Sequence, residues 1–350
     1  MSADKSLNTL VLDIRSRQKA KSGSLDEPCA MWTGSDLVDG KKLDTLTIIF
    51  RTSGCWWGKA GGCTMCGYVY DSAQVSPSDE QLFAQLGKAM RKASGFEEFM
   101  VKIFTSGSFL DTREVPLEVR HRILGELQSD ARVVKVLVET RPEFVKEETM
   151  ADCRNSMKGK PFEIAVGLET TSDTIRKHSI NKGFTFGDFK RAATIARNSG
   201  ATVKAYLMLK PPFISEKEAL DDMVNSIREA AAYADTFSIN LCNIQNGTFV
   251  ENLWQKGQYR PPWLWSIVEI LKKAKEEFPD KVITSDPVGA GSKRGPHNCK
   301  ECSREVADAI RLFSLTQDLS CLDIPQCDCV SLWESVLELD EHTFGAPITD

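Results

Sequence analysis

Apolar residues recur along the chain in six short runs, separated by segments with helical periodicity. The runs are nearly continuous and rich in β-branched residues, as expected for strands buried on both faces of a parallel sheet. They cover 45–50, 99–104, 133–139, 162–168, 202–209 and 237–244. Amphipathic patterns predict helices near 79–94, 116–130, 143–158, 186–199 and 216–234. This alternation predicts an α/β fold, either a barrel or a doubly wound sheet.

Polar residues, glycines and prolines follow the predicted strands. A long Gly-rich loop follows the first strand, and the later strands are followed by TSGSFLD, ETRPEF, ETTSD, KPPF and NIQNGT. In either architecture the C-terminal ends of parallel strands meet on one side, where binding sites form. We therefore expect the active site at this rim.

The chain divides by character into three predicted regions. Residues 1–44 are polar and are expected to wrap the barrel, which we predict over 45–245. Residues 246–350 contain an aromatic-rich helical pattern, a Gly-rich loop and five cysteines. We predict that this last region is a small C-terminal metal-binding domain.

The charge balance excludes binding to nucleic acid by bulk attraction. The 350 residues include 44 basic and 49 acidic side chains, for a net charge of −5. Any RNA contact therefore needs a local basic surface. The sequence contains only short basic runs that could form such a surface, and the ordinary role of such residues is to keep the surface solvated. The candidate RNA contacts are Arg15, Arg17, Lys19, Lys21, Lys41, Lys42, Lys293 and Arg294.

Neither a membrane-spanning apolar run nor a signal-peptide core is present in the sequence. These patterns predict a soluble, cytoplasmic protein without a membrane partner. The eleven cysteines are many for such a protein, and they concentrate in two groups. Metal binding explains this clustering better than a disulfide framework does.

The first group is Cys55, Cys63 and Cys66, in the Gly-rich loop after the first strand. Thiolates are the ligands of iron–sulfur clusters, and glycines let the backbone approach such a group closely. Three cysteines leave one iron of a 4Fe-4S cluster free for a cofactor. A structural zinc site completed by a distant ligand is the alternative.

The second group has the spacing of a four-cysteine zinc site. Cys299 and Cys302 form one close pair, and Cys327 and Cys329 form another. His297 is a candidate to replace one cysteine, and Cys321 is a further candidate ligand. The alternatives are a second iron–sulfur cluster and buried, reduced cysteines.

The first cysteine group resembles the motif of radical S-adenosylmethionine (SAM) enzymes. The second spacing and the apolar Met65 before the last cysteine match that motif, whereas the first spacing is widened to seven residues. TSGSF at 105–109 is similar to the segment that holds the methionine amino group of SAM in those enzymes. ETRP at 139–142 and VGLETTSD at 166–173 resemble the radical SAM domain of the Elongator acetyltransferase and its relatives.

This resemblance implies a partial (β/α)6 barrel with specific cofactor-binding residues. SAM would bind at the fourth iron and would contact the side chains or backbone of seven residues, which are named at the end of this paragraph. We also expect Lys204 to face the cofactor or the substrate. The residues are Met65, Ser106, Gly107, Ser108, Glu139, Arg141 and Glu169.

Longer segments resemble the radical SAM enzyme family for archaeosine formation (RaSEA). They are NIQNGTFVENLWQKGQYRPPWLW, SDPVGAGSKRGPHNC and AIRLFSLTQD. The resemblance implies a carbon–nitrogen lyase that acts on a lysine adduct of 7-deazaguanine in the tRNA D-arm. It implies three partners: the tRNA, the lysine transferase of the same pathway and an electron donor. It also implies that the C-terminal domain over 246–350 binds the tRNA.

Two alternatives remain at this point. One is another Elongator-like radical SAM enzyme, such as a methylthiotransferase or a protein-modifying maturase. The other is a non-enzymatic, zinc-dependent RNA-binding module.

Overall fold

One curled sheet of eight strands forms the centre of the molecule. The computed structural model describes residues 6–19, 22–325 and 327–339. The strands are adjacent in chain order: β1 (Ala30–Val38), β2 (Lys41–Ile49), β3 (Phe99–Phe104), β4 (Val133–Thr140), β5 (Phe162–Glu169), β6 (Thr202–Leu209), β7 (Thr236–Leu241) and β8 (Val282–Ser285). From β2 to β8 all pairings are parallel, and β1 is antiparallel to β2.

All six predicted strands are present as β2 to β7, with bounds that differ by a few residues. Every residue of β5 is buried, which explains why its apolar run is continuous. The predicted fold class, a partial barrel of alternating strands and helices, is confirmed.

Helices connect the strands and pack against the sheet. They are α1 (Leu7–Ser16), α2 (Trp56–Lys59), α3 (Asp79–Met90), α4 (Leu117–Ser129), α5 (Glu147–Met157), α6 (Asp173–Ile175), α7 (Phe186–Asn198), α8 (Glu216–Ala230), α9 (Phe249–Gln255), α10 (Leu264–Glu277), α11 (Ser303–Thr316) and α12 (Cys329–Leu339). Capping boxes at Ser78, Thr185 and Ser215 begin α3, α7 and α8. The five helices predicted between strands correspond to α3, α4, α5, α7 and α8.

Two strands of the sheet were not predicted. The middle of β1 is exposed and polar at Thr33 and Gly34, and β8 has four residues, so neither gives a strong apolar pattern. They form the two edges of the sheet. Helix α11 contacts both β1 and β8, so a single helix bridges the gap between the edges.

The interior of the barrel contains a buried charge network below the rim. Asp36 of β1 lies 3.2 Å from the ammonium of Lys102 on β3 and 3.7 Å from that of Lys204 on β6. Burial opposes ionisation of Asp36, but the two ammonium groups outweigh it and lower the pKa of this carboxyl. The network therefore ties β1 across the barrel to β6.

The segments that flank the predicted barrel contribute to the same sheet and core. Strand β1 comes from residues 1–44 and β8 from residues 246–350, while Trp265 of α10 and Phe313 of α11 join the core cluster of the central strands. The flanking segments thus complete the barrel. The domain boundaries after residues 44 and 245 stay predictions.

Candidate functional site

The long loop between β2 and α3 carries three partly buried cysteines at the C-terminal end of the parallel strands. Cys55 precedes α2, and Cys63 and Cys66 follow it. The amide of Gly58 donates to Cys55 Sγ at 3.3 Å. Burial raises the pKa of Cys55, and burial together with Cys63 raises the pKa of Cys66 to about 12. The thiols of Cys55 and Cys66 are therefore protonated at neutral pH unless a metal centre displaces the proton.

The spacing of these thiols distinguishes between the two kinds of metal group predicted for them. Over residues 6–19, 22–325 and 327–339, the only group of three or more potential ligands within 4.8 Å of one another lies in the C-terminal region. The thiols of Cys55, Cys63 and Cys66 are thus not all that close. Ligands of one zinc ion lie about 3.8 Å apart, whereas ligands of different irons in a cluster are farther apart. The three thiols are therefore not gathered as the ligands of a single zinc ion are.

Helix α1 holds the widened cysteine loop in shape through Arg15. Its guanidinium donates to the carbonyl oxygens of Gly58, Cys63 and Cys66, at 2.5, 3.0 and 3.0 Å. Asn8, about two helical turns before Arg15, donates to the Ala60 carbonyl at 2.9 Å. The two side chains fasten the inserted residues to α1. Arg15, a candidate for RNA contact in the sequence, therefore has three hydrogen-bond partners in the cysteine loop.

Gly107 allows the loop after β3 to approach the cysteine loop. A Cβ atom at this position would lie 2.6 Å from the Cys55 Cα and 2.0 Å from a carboxylate oxygen of Glu114. No side chain fits between these groups. The predicted cofactor segment Ser106–Ser108 is thereby packed directly against the first cysteine.

Glu114 orders that segment, and sequence reasoning missed it. Its carboxylate accepts from Thr52 Oγ1 at 2.6 Å and from the amide of Ser108 at 2.8 Å, and the Ser108 hydroxyl accepts from the Arg141 amide at 3.0 Å. Burial raises the pKa of Glu114 to about 7 despite these donors. In the described part of the chain, the buried hydroxyl of Ser106 has no hydrogen-bond partner. It is available to a ligand at the rim.

Two predicted carboxylates, Glu139 and Glu169, lie at the ends of β4 and β5. Burial raises the pKa of Glu139 to about 7. Glu169 follows a register shift in β5 and has a positive φ of 66°, a conformation that L-residues rarely adopt. This backbone directs its carboxylate to the ammonium of Lys182 at 2.5 Å. Both carboxylates therefore lie on the same rim as the cysteine loop.

Lys182 is the second site residue that sequence reasoning missed. Although burial disfavours its charge, Glu169 and Cys63 raise its pKa. A cation beside Cys63 stabilises negative charge on the cysteine loop. Lys182 lies between the predicted strands in a segment without a motif, so only the fold reveals its neighbours.

Arg141 is held by a cage of aromatic and polar groups. Its guanidinium lies over the rings of Trp56 and Trp57, at 5.6 and 5.9 Å from their centroids. It also contacts Glu143 at 2.6 Å and donates to the Lys182 carbonyl at 3.0 Å. Within the described residues, its Nη2 atom has no partner. The cage joins the cysteine loop to the loop after β4.

The remaining predicted cofactor residues differ in position. Met65 is buried in a small apolar cluster with Ile180 and Ile244, directly behind the cysteine loop. Lys204 pairs with Asp36 inside the barrel. A direct contact of Met65, Lys204 or the other predicted residues with SAM stays a prediction.

The four C-terminal cysteines come together as a compact group. The sulfur of Cys299 lies 3.6 Å from that of Cys302 and 3.5 Å from that of Cys327, and the Cys302 and Cys329 sulfurs are 3.6 Å apart. These separations are close to the value of about 3.8 Å for tetrahedral zinc thiolates. The geometry therefore fits a four-cysteine metal site that joins the start of α11 to the start of α12.

Two further candidate ligands lie outside this group. His297 Nδ1 is 2.8 Å from the Gly295 carbonyl oxygen, and Cys321 Sγ is 3.5 Å from Thr316 Oγ1. The group of ligand atoms within 4.8 Å contains neither residue. A zinc-binding role for His297 is thus left without support, while the four cysteines are sufficient.

Several basic residues that were candidates for RNA binding have intramolecular partners. Arg17 pairs with Asp13 at 2.6 Å, and Arg294 pairs with Glu251 at 2.6 Å. Lys21 lies outside the described residues. The structure thus offers less free basic surface at these positions than the sequence suggested.

Comparison with known proteins identifies the family. The chain is 62% identical over 345 residues to archaeosine synthase subunit beta of Methanosarcina acetivorans, covering 99% of this chain and 100% of that protein. It is 46% identical over 310 residues to the protein of the same name from Thermococcus kodakarensis, covering 88% and 96%. The chain belongs to the archaeosine synthase subunit beta family.

Membership of this family confirms the family predicted from the sequence and makes the chain an enzyme of tRNA modification. The non-enzymatic alternative is therefore set aside. Among solved structures, Methanocaldococcus infernus Elp3 has a TM-score of 0.49 at 16% identity, covering 67% of this chain and 59% of that chain. No protein-family model matches the chain.

In the described part of the chain, no helix combines the length and apolar character that crossing a membrane requires.

Proposed function

We propose that the chain is a radical SAM lyase that completes archaeosine formation in tRNA. Cys55, Cys63 and Cys66 would hold a 4Fe-4S cluster at the rim of the barrel. The substrate would be the lysine adduct of 7-deazaguanine in the D-arm, and cleavage of a carbon–nitrogen bond would leave archaeosine. Family membership supports the product, and the arrangement of the three thiols on the rim supports the cofactor.

The side chains around the cysteine loop fit SAM. The buried Ser106 hydroxyl and the Arg141 Nη2 atom lack partners among the described residues, so each can bind a polar group of the cofactor. A reduced cluster held by Cys55, Cys63 and Cys66 would supply the electron for reductive cleavage of SAM, and this chemistry would allow hydrogen abstraction from a carbon of the substrate. Three cysteines leave one iron free for the amino and carboxylate groups of SAM.

The chain itself supplies orientation and charge. Gly107 brings the segment that would receive the methionine amino group against Cys55. Glu139 and Glu169 present oxygen acceptors for hydroxyl groups, and Lys182 holds the Glu169 carboxylate in place through an ion pair of 2.5 Å. The apolar cluster around Met65 and Ile244 shields the cysteine loop from water on its inner side.

We also propose that Cys299, Cys302, Cys327 and Cys329 bind zinc. Sulfur separations of 3.5 to 3.6 Å support one tetrahedral ion, whose ligands lie about 3.8 Å apart. The ion would be structural, since all four positions are taken by the protein. It would fix α12 to the barrel beside α10, where Trp265 Nε1 contacts Cys329 Sγ at 3.3 Å.

Three partners follow from the proposed reaction. They are the tRNA, the lysine transferase that makes the adduct, and an electron donor for the cluster. The two named relatives are called subunit beta of archaeosine synthase, which supports a second protein in the pathway.

An anaerobic reaction tests the proposed function. The purified protein is reconstituted, analysed for iron, sulfide and zinc, reduced with dithionite, and incubated with SAM and tRNA that carries the lysine adduct. We expect four irons and one zinc per chain, 5′-deoxyadenosine, and archaeosine in the digested tRNA. Methyl transfer to the tRNA instead would favour another radical SAM reaction, and an unchanged adduct beside active SAM cleavage would contradict the lyase.

A further inference from the structure

The loop after β6 presents an exposed aromatic ring in an unusual backbone conformation. Phe213 is 50% exposed and has a φ of 70°, in the left-handed region that bulky L-residues avoid. Its ring meets that of Phe249, the first residue of α9, edge to face with centroids 5.7 Å apart. A strained, exposed phenylalanine is a costly arrangement that solubility and packing alone do not favour.

This aromatic pair is tied to the cysteine loop. The Ser179 hydroxyl donates to the carbonyl of Pro212, which precedes Phe213. Thr64, between the second and third cysteines, donates to the Ser179 carbonyl at 2.9 Å and accepts from the amide of Val250 at 3.2 Å. Phe249 is therefore adjacent to a residue bonded to Thr64, and Phe213 is linked to Thr64 through Pro212 and Ser179.

Two contacts hold the start of the loop after β6 in place. Tyr259 donates to the Lys210 carbonyl at 2.6 Å, and the buried Lys210 ammonium lies 2.8 Å from Glu216. These contacts fix the start of the segment that ends at Phe213. The exposed ring is thus held in place before any ligand arrives.

A lysine and a histidine directly precede Ser179, whose hydroxyl donates to the Pro212 carbonyl. Lys177 and His178 are exposed and lie directly before Ser179, in a turn of π-helix. Such turns are rare and frequently lie at functional sites. An aromatic ring beside basic side chains is the combination that binds unpaired nucleotides, because bases stack on the ring and phosphates lie near the cations.

We propose that Phe213 and Phe249 form a stacking subsite for an unpaired nucleobase of the substrate tRNA. The inference rests on the proposed function and adds where the RNA contacts the rim. A base that flanks the modified nucleotide, freed when the D-arm opens, would stack on Phe213, with its phosphate near Lys177. This contact would hold the lysine adduct close to the cysteine loop.

Binding of a fluorescently labelled tRNA transcript, followed by anisotropy, tests the subsite. Phe213→Asn removes the ring but tolerates a positive φ, and Phe213→Tyr keeps the ring. We expect the first to weaken binding by about 5- to 100-fold and the second to leave it within about twofold. Leu312→Ala is the control, since this side chain is 52% exposed on α11, away from the rim, and it should bind tRNA normally.

A second measurement separates this inference from the proposed function. Cleavage of SAM by the reduced protein without tRNA should be unchanged in Phe213→Asn. Normal tRNA binding by this variant, an equal loss in Phe213→Tyr, or a loss confined to binding of the lysine transferase would each overturn the subsite while leaving the lyase intact. A wild-type protein that binds no tRNA would overturn both.

Discussion

The fold contains two cysteine groups, which differ in the spacing of their sulfur atoms and in the elements that hold them. The four C-terminal sulfurs lie 3.5 to 3.6 Å apart along the contacts described above and are held by two helix starts. The three sulfurs at the barrel rim are farther apart and belong to a glycine-rich loop that depends on Arg15 for its shape. Sulfur spacing, more than the number of cysteines, determines whether a single ion or a cluster fits.

The surroundings of the two groups differ as well. Ionisable and unpartnered polar groups converge around the rim cysteines, among them Glu139, Lys182 and Ser106. The C-terminal group has Trp265 and other core residues as neighbours. A site for reaction needs groups that can meet a ligand, whereas a structural ion needs only its own ligands and packing.

The largest expected effect is loss of the rim group. A chain with Cys55, Cys63 and Cys66 all replaced by alanine should lose iron, sulfide and all measurable SAM cleavage, yet keep about one zinc. Metal analysis by mass spectrometry and product chromatography measure this. Iron retained at the wild-type level would contradict the assignment of the two groups.

Loss of the C-terminal cysteine group should lower the stability of the protein more than its iron content. Cys299→Ser/Cys327→Ser would remove two ligands from the proposed zinc site, and we expect a loss of stability on the order of 5 kcal/mol, or roughly 5–10 °C in Tm. Iron content should persist at low temperature. Calorimetry with metal analysis decides the matter, and an unchanged Tm with full zinc would rule out these ligands.

Arg15→Ala should weaken metal binding at the rim cysteines without affecting the C-terminal cysteine group. The guanidinium donates to three carbonyls of the cysteine loop, and charged hydrogen bonds contribute about 1.5–3 kcal/mol each. We expect several-fold lower iron occupancy and normal zinc. Arg17→Ala, which removes an exposed ion pair with Asp13, is the matched control. Equal losses in both variants would argue against a specific role for Arg15.

The smallest expected effect is a pH dependence of protein stability that arises from Glu139 at the rim. Burial raises the pKa of Glu139 from 4.5 to about 7, so the folded state binds more protons than the unfolded state between these values. The stability of the cluster-free chain should therefore fall as pH rises from about 4.5 to 7, by about 1–3 kcal/mol from this group. In Glu139→Gln that part of the decrease should be absent from Tm measured across the range. A wild-type pH dependence in the variant would place the titration elsewhere, for instance at Glu114.

The strands β2 to β7 follow from local pattern because each is buried on both faces. Strand β1 and the four-residue β8 were missed because their pairing depends on edges that the sequence does not mark. The rim cysteines and the loop residues after the strands were predicted from motifs, and the structure brings them to one side of the barrel. Their contacts with SAM stay predictions.

The sequence by itself determined the parallel core, the two cysteine groups and the family, since apolar runs and ligand spacings are local properties. Tertiary structure alone decided which distant groups serve each site. Arg15, Glu114 and Lys182 reach the rim from separate elements, and Phe213 and Phe249 meet across two loops. These contacts depend on how the sheet curls, and no local pattern of residues encodes that curvature.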